Sequence, residues 1–367
     1  MADRHFRHRL DTAASVGAGP DGPARWGRPE ASMADIGAVG LSRRRVLTAG
    51  ALAGATLLGT GLSGGKASAA SKPAIFYSPH QDDEVLGLAG SILEHKAAGR
   101  PVYLVLVTRG ENNQLAGIMN EWAWEEDKDT GKMKKVDYPC RLRPSGRCAA
   151  HGPHGVNWPT DPPSATDSVI VPSRTAEFMA AADVLGVDKV INLKVPDSAW
   201  NGDTDFKNFT KTVKSKIASI ADQYPGASHK FTAGWLEVSA THKAISDAAV
   251  QLAKEGKLTD VRFNFVYAYD YPLASRRNGA AYVLNIPSDD MDTKRNAIAC
   301  YNSWQPSKKL YALGYHSVPE KLESAAADPH EYVFGMPNDD YEYGDIQKDR
   351  KKPGGGKYSG EPQWGWS

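Results

Sequence analysis

A histidine and three consecutive carboxylates directly follow a short, β-prone apolar segment near residue 75. His80 comes first, and Asp82, Asp83 and Glu84 follow after one glutamine. Neighbouring carboxylates repel one another, and a bound cation would remove that repulsion. Histidine and aspartate together suit zinc as ligands. The alternative is a solvated acidic first turn of a helix, where carboxylates are favoured, but it leaves His80 and the abrupt end of the apolar segment unexplained.

The segments around this cluster predict how its side chains are positioned. Residues 75–77 indicate a strand, and apolar residues at helical spacing over 84–98 predict a helix. The apolar run 102–107 then predicts a parallel strand buried on both faces. This order indicates a right-handed βαβ unit, which places the cluster outside the carboxyl end of a strand, where open α/β sheets bind ligands. No Gly-x-Gly-x-x-Gly pattern follows the first strand, which disfavours a dinucleotide cofactor.

Residues 80–84, with the sequence His-Gln-Asp-Asp-Glu, closely resemble the His-Pro-Asp-Asp-Glu signature of the PIG-L/LmbE family of zinc-dependent N-deacetylases. Gln81 stands where the family usually has Pro or Ala, at a position that does not ligate the metal. Residues 108–111, Thr-Arg-Gly-Glu, resemble a family turn after the second strand. The resemblance covers roughly residues 73–305 apart from segment 112–171. It implies an α/β fold with a Rossmann-like, mostly parallel sheet flanked by helices.

A second cluster, residues 239–242 with the sequence Ser-Ala-Thr-His, precedes a predicted helix. In the family a His-x-x-His pattern occupies this position, and its second histidine completes the metal site. The resemblance therefore implies that His80, Asp83 and His242 bind Zn²⁺. The first family histidine, usually assigned as an acid or transition-state stabiliser, is Ser239 here. A serine does not donate a proton near neutral pH as an imidazolium does, although it can hydrogen-bond a developing oxyanion or the substrate.

The two neighbouring aspartates are expected to divide the chemistry. Side chains of adjacent residues on a tight turn diverge, so Asp82 is not expected to reach the ion that Asp83 binds. Asp82 is then free to accept the proton of the attacking water as the general base.

Two further residues are predicted to bind substrate, again by resemblance. Arg174 lies in an Arg-x-x-Glu pattern on a helix predicted over residues 172–185, where the family has an arginine that points into the pocket. The alternative is a surface ion pair with Glu177. Asp197 follows a strand predicted over 190–193 and corresponds to a family aspartate that contacts substrate hydroxyls.

The predicted function is a zinc-dependent hydrolase that removes an N-acyl group, by family default N-acetyl, from an amino sugar such as an N-acetylglucosamine derivative. The partner would be a small-molecule or glycoconjugate amino sugar. One alternative is a metal-binding, carbohydrate-binding protein whose catalysis degenerated when Ser239 replaced the histidine. Another is a glycosidase that uses Asp82 and Glu84, although such carboxylate pairs normally come from different elements about 5 Å or more apart.

The composition indicates which binding partners to expect, and the N-terminal region indicates where the protein is located. The chain has 367 residues and a formal charge of +1 without a basic–aromatic pattern, which disfavours nucleic acid as a partner. No apolar run reaches the ~20 residues of a membrane span, so no stable membrane anchor is expected. Residues 42–48, Ser-Arg-Arg-Arg-Val-Leu-Thr, match a twin-arginine export signal. A weakly apolar run and Ala-Ser-Ala at 67–69 follow. We therefore expect residues 1–69 to be a signal peptide and leader, with Met33 as an alternative start, and the protein to be secreted.

The remaining segments are less regular. We predict a deacetylase domain spanning residues 70–335, with residues 112–171 forming a long loop insertion within it. Residues 336–367, rich in Asp, Lys and Gly, are predicted to form a flexible tail. The tryptophans of the insertion either stack on sugar rings or anchor the loop; they are Trp122, Trp124 and Trp158. Cys140 and Cys148 either form a disulfide in an oxidising exterior or remain thiols.

Overall fold

The computed structural model describes most residues between 72 and 341. The described ranges are 72–127, 129–137, 140, 156–160, 163–197, 203–237, 239–337 and 341. The predicted export signal, Cys148 and most of the predicted tail lie outside these ranges. The predictions made for them, including the Cys140–Cys148 disulfide and the domain boundaries, therefore stay predictions.

Strands and helices alternate along the first half of the described chain, as the sequence predicts. The strands are β1 (Ala74–Ser78), β2 (Val102–Thr108), β3 (Trp122–Glu126), β4 (Met133–Asp137), β5 (Lys189–Val195), β6 (Ser228–Thr232), β7 (Val261–Asn264), β8 (Tyr282–Asn285), β9 (Trp304–Gln305), β10 (Leu310–Tyr311) and β11 (His330–Phe334). The helices are α1 (Ala89–Ala97), α2 (Asn113–Asn120), α3 (Pro163–Val184), α4 (Asp203–Gln223), α5 (Ala240–Lys254), α6 (Leu273–Arg276), α7 (Ser288–Cys300), α8 (Leu313–Ser317) and α9 (Pro319–Ala327).

A central sheet, seven-stranded over the described residues, has the order β5-β2-β1-β6-β7-β11-β8. The strands from β5 to β7 pair in parallel, and β11 pairs antiparallel with both of its neighbours. The chain moves outward from β1 to β2 and β5 and then returns to β6 on the other side of β1. This reversal opens a crevice at the carboxyl ends of the strands, where such sheets bind ligands. The predicted mostly parallel α/β fold is confirmed.

Burial explains why the sequences of the central strands are continuous apolar runs. Every residue of β1 is buried, and β2 is buried at all but one position. Helices cover both faces of a parallel sheet, so its strands lack the alternation of a half-exposed sheet. Aromatic side chains fill the layer beside β1; Tyr77 and Phe231 stack with centroids 4.3 Å apart. A rigid sheet thus supports the turn that carries the first chemical cluster.

Helix α3 begins earlier than the sequence predicts. The predicted start was Pro172, but the helix runs from Pro163 and includes Pro172 in its interior. A proline inside a helix removes one backbone hydrogen bond and is normally costly. Here tertiary packing outweighs that cost, because the extra turns bury Ile170 in a small apolar cluster with Leu115 and Met119 of α2. The predicted end is close to correct: Gly186 has φ +69° and its N–H donates to the carbonyl of Asp183.

The expected irregular insertion contains regular structure in its described parts. Helix α2 starts at a cap, since the Asn112 side chain accepts the N–H of Gln114. Strands β3 and β4 pair antiparallel as a hairpin. Elements this short give too few residues for a periodic pattern, and the loop prediction for residues 112–171 missed them.

The three tryptophans of this segment have different environments. Trp158 is buried, its ring lies 4.8 Å from that of Tyr311, and its backbone exchanges two hydrogen bonds with the Asn120 side chain. Trp122 and Trp124 line an open cavity of about 620 Å³, to which Trp158 also contributes, and 46% of Trp124 is exposed. Trp158 therefore anchors the segment. Sugar stacking on the other two stays a prediction.

Two further observations concern the periphery. Within the described residues no helix is long and apolar enough to span a membrane. In the segment expected to be a flexible tail, Tyr341 is buried; its hydroxyl accepts a hydrogen bond from Lys243 at 2.7 Å and donates one to Asp247. The chain thus contacts helix α5 at this point of the predicted tail.

Candidate metal centre

Three side chains predicted to bind zinc converge at the carboxyl edge of the sheet. His80 Nδ1 lies 3.1 Å from His242 Nε2 and 3.4 Å from Asp83 Oδ2, and the latter two atoms are 3.0 Å apart. Ligand atoms of a tetrahedral zinc with bonds of about 2.1 Å lie ~3.4 Å from one another. A single ion can therefore contact all three. Among the described residues, these three side chains form a group whose ligand atoms lie close enough to share one metal ion, and each is buried.

A strained turn after β1 presents the first two of these side chains. The His80 N–H donates to Asp83 Oδ2 at 2.9 Å, which closes the turn. The Asp82 carbonyl then accepts the N–H groups of Val85 and Leu86 and starts a π-helical turn over Glu84–Leu88. Asp82 itself has φ +120°, a backbone conformation that L-residues rarely adopt. Strain of this kind persists where surrounding contacts enforce it, and it is concentrated at functional sites.

The turn after β2 supports this strained turn. Both the N–H and the hydroxyl of Thr108 donate to the Pro79 carbonyl. The Gln81 side chain donates to the Arg109 carbonyl at 2.8 Å. Gly110 has φ +75°, and a Cβ there would lie only 1.9 Å from the Gln81 side-chain oxygen. The glycine of the Thr-x-Gly-Glu pattern is therefore required by both backbone conformation and space.

A carboxylate behind each histidine orients its ring. His80 Nε2–H donates to Asp197 Oδ2 at 2.6 Å, and His242 Nδ1–H donates to Glu237. Each bond directs the opposite ring nitrogen at the cluster, where it can bind a metal ion once it has lost its proton. Outer carboxylates of this kind are typical of histidine metal ligands. Glu237 is held in turn by the N–H groups of Val266 and Tyr267. The sequence analysis missed Glu237, because a glutamate five residues before a histidine is not a recognisable spacing.

Asp197 is hydrogen-bonded behind His80 within the described structure. It is fully buried, and its second oxygen accepts the Thr241 hydroxyl at 2.8 Å. It therefore joins the loop after β5 to helix α5 and positions His80. Its predicted contact with substrate hydroxyls is untested and stays a prediction.

Arg174 and Ser239 also have structural partners at the site. Arg174 is buried and donates to the carbonyls of Gln81 and Gly110, and its guanidinium lies 3.6 Å from Asp82 Oδ2. This is not the surface pair with Glu177. Ser239 is the N-cap of α5, where its hydroxyl accepts the His242 N–H at 3.3 Å. Direct substrate contacts of both residues stay predictions.

The charges of the cluster fit a divalent cation. Burial alone would lower the pKa of both histidines, but adjacent carboxylates raise it to about 9 for His80 and about 10 for His242. Burial likewise opposes ionisation of Asp83, yet the two imidazoles hold its pKa well below the usual range. Asp83 Oδ1 is buried and has no hydrogen-bond partner among the described residues. A zinc ion would replace the imidazolium protons and occupy this region of negative potential.

Zinc binding is expected to release protons and to tighten as the pH rises. With pKa values of about 9 and 10, both imidazoles are protonated at neutral pH without an ion. Each must lose a proton to ligate, so affinity should rise by up to about 100-fold per pH unit below pH 9. Calorimetry in buffers of different ionisation enthalpy measures the proton release directly. A pH-independent affinity would contradict this charge state.

The fold and the cluster together define an α/β protein with a candidate metal centre at the switch point of its sheet. Residues 75–253 match the family model PIG-L, described as GlcNAc-PI de-N-acetylase. Both chemical clusters lie within this range. This part of the chain is therefore similar to the PIG-L family of deacetylases.

Several solved structures are similar to the chain at low identity. A deacetylase of the teicoplanin biosynthetic pathway is 17% identical, with 73% of this chain and 100% of that chain covered and a TM-score of 0.45. N,N'-diacetylchitobiose deacetylase from Pyrococcus horikoshii is 16% identical, with 69% and 76% covered and a TM-score of 0.37. The 4-carboxy-2-hydroxymuconate hydratase GalB from Pseudomonas putida is also 16% identical, with 74% and 98% covered and a TM-score of 0.41. No curated protein matches the chain at a significant level.

Proposed function

We propose that this protein is a zinc-dependent amide hydrolase that removes an N-acetyl group from an amino sugar. The observation that carries the proposal is the convergence of His80, Asp83 and His242 on one point, with separations of 3.0–3.4 Å. The match of residues 75–253 to the model of a de-N-acetylase family supports the reaction class. A bound Zn²⁺ would acidify water and polarise the acyl carbonyl.

Asp82 is the proposed general base. It adjoins Asp83 in sequence but is not part of the converging group, and Arg174 lies beside it. Burial, with the Asp83 charge, raises the pKa of Asp82 to about 6, against the opposing charges of Arg174 and His80. Such a pKa suits a carboxylate that accepts a proton near neutral pH. The carboxylate takes a proton from water as the water oxygen bonds to the acyl carbon. The C–N bond then breaks, the nitrogen gains a proton, and acetate and the amine result.

The role of Ser239 distinguishes the proposed hydrolase from the alternative, a carbohydrate-binding protein without catalysis. The Ser239 hydroxyl oxygen accepts the His242 N–H, and a serine hydroxyl is too weak an acid near neutral pH to replace an imidazolium as a proton donor. In our proposal, protonated Asp82 returns the proton to the leaving amine. A protein with degenerate catalysis would bind zinc and the sugar but release no acetate.

The glycosidase alternative is disfavoured by the position of Glu84. This carboxylate is fully buried and accepts hydrogen bonds from the Tyr301 hydroxyl and the Asp82 N–H. Burial raises its pKa to about 8. A residue enclosed in this way supports the turn and does not flank a substrate bond opposite Asp82.

Acetate release from purified, zinc-loaded protein tests the proposed function. Free, peptide-linked and lipid-linked N-acetylglucosamine compounds are compared, because the sequence and the structure leave the conjugate open. We expect release from at least one class, with loss of activity after chelation and recovery on addition of zinc. Zinc binding without acetate release would favour the carbohydrate-binding alternative, and chelator-insensitive release of sugar would favour a glycosidase.

We further propose that the protein is secreted by the twin-arginine pathway. The supporting observation is the sequence of residues 42–48, which lies outside the described residues. Replacing Arg43 and Arg44 together with lysine keeps the charge but removes the recognised pair. The doubly substituted protein is expected to remain inside the cell, as measured by fractionation. Unchanged secretion would contradict the twin-arginine assignment.

A further inference from the structure

A lysine on helix α9 contacts a tyrosine whose ring packs against the metal cluster, although no sequence pattern pointed to it. The Lys321 ammonium is 3.5 Å from the centroid of the Tyr267 ring, a cation–π contact. The same ring lies 4.9 Å from the His242 ring, and the Tyr267 N–H donates to Glu237, the carboxylate that orients His242. One aromatic side chain therefore contacts both the lysine and a proposed zinc ligand.

The charge of Lys321 is only partly neutralised by its neighbours. Its ammonium is 3.5 Å from Asp270 Oδ2, but the Asp270 side chain is 38% exposed, and such solvated pairs are weak. Helix α9, which carries Lys321, packs against the π-helical turn Glu84–Leu88 that directly follows Asp82 and Asp83. With 19% of its side chain exposed, Lys321 is accessible to solvent.

Other polar groups around the cluster are already committed within the described structure. The Arg174 guanidinium donates to the carbonyls of Gln81 and Gly110. The hydroxyl of Ser239 caps helix α5, and that of Thr241 donates to Asp197. Lys321 is a flexible cation with three donors, and a cation–π contact does not consume any of them in a fixed direction.

We propose that the Lys321 ammonium stabilises the negative charge that forms on the acyl oxygen during amide hydrolysis. This inference rests on the proposed function. When the water oxygen bonds to the acyl carbon, the carbonyl π pair moves to the oxygen, and a cation beside that oxygen would stabilise its charge in addition to a bound Zn²⁺. When the C–N bond breaks, the pair returns to the carbonyl and the charge on the oxygen disappears. A cation aimed at charge that exists only in the transition state raises turnover more than it tightens substrate binding.

Two substitutions distinguish charge stabilisation by Lys321 from the packing of its side chain on Tyr267. Lys321→Met keeps the apolar stem and removes the charge, whereas Lys321→Arg keeps the charge. We expect Lys321→Met to lower kcat about 100-fold, the range for loss of one oxyanion donor, with KM changed less than about threefold. Lys321→Arg should recover most of the loss. Lys257→Met, at an exposed surface position, is the matched control for lost charge and should behave as the wild type.

Binding of an anionic tetrahedral mimic provides a readout independent of turnover. Methylphosphonate affinity is measured by calorimetry for metal-free and zinc-loaded protein. Lys321→Met should weaken it about tenfold in both forms, the size of one charge-assisted hydrogen bond, while the binding of neutral N-acetylglucosamine stays unchanged. Unchanged methylphosphonate affinity, or a raised KM with unchanged kcat, would overturn the role.

Failure of the proposed role of Lys321 can be distinguished from failure of the proposed function. If wild-type protein releases no acetate from any amino sugar, the proposed function fails. The metal-free methylphosphonate measurement then still shows whether Lys321 forms an anion contact at this site. Melting curves of the Lys321 variants check folding, and Lys321→Arg keeps the test valid if Lys321→Met is unstable.

Discussion

Replacing Asp82 with asparagine is expected to lower turnover by about two to four orders of magnitude, the usual range for removal of a general base. The amide cannot accept the proton of the attacking water. Zinc content per chain should stay near that of the wild type, because the converging ligand atoms belong to His80, Asp83 and His242. The measurements are metal content and kcat at increasing zinc concentration, and excess zinc should not restore activity.

Asp82 also has a strained backbone, so the substitution needs a folding control. Asparagine tolerates positive φ at least as well as aspartate does, and its shape preserves the turn. The melting temperature should therefore change little. Asp129→Asn, at an exposed position in the hairpin turn, controls for loss of a carboxylate. Turnover within about tenfold of the wild type would mean that another group serves as the base.

Replacing Asp83 with asparagine is expected to produce the opposite defect, a loss of metal affinity. A neutral amide oxygen is a poorer zinc ligand than a carboxylate, and the two imidazoles lose the negative charge between them. The loss should exceed the roughly 10- to 100-fold that removal of an outer carboxylate costs. Because Asp82 remains, part of the activity should return at high zinc concentration.

Glu237→Gln is the matched comparison for this second prediction. It removes the carboxylate behind His242 without touching the converging atoms. Its zinc affinity should fall by about 10- to 100-fold, less than for Asp83→Asn. If Asp82→Asn and Asp83→Asn lose metal equally, both carboxylates ligate, and the base must be sought elsewhere. If Glu237→Gln loses as much metal as Asp83→Asn, the division into inner and outer carboxylates is wrong.

Local sequence determined the parts of the site that depend on neighbouring residues. The apolar run, the histidine and the adjacent carboxylates predict a strand, a polar turn and a helix, and β1 with the turn at His80 has this form. The resemblance to the PIG-L/LmbE family added His242, 162 residues away from His80. The parallel sheet also followed from the sequence, because strands covered on both faces read as uninterrupted apolar runs.

Only the tertiary structure decided which groups support and surround these residues. Asp197 and Glu237 reach the histidines because the carboxyl ends of β5 and β6 meet at the same edge of the sheet as that of β1. The early start of α3 depends on packing against α2, which outweighs the local signal of Pro172. Lys321 lies on α9, a helix that does not connect two parallel strands. It contacts the Tyr267 ring beside the site. Such contacts depend on how segments distant in sequence pack together, so no local pattern of residue types predicts them.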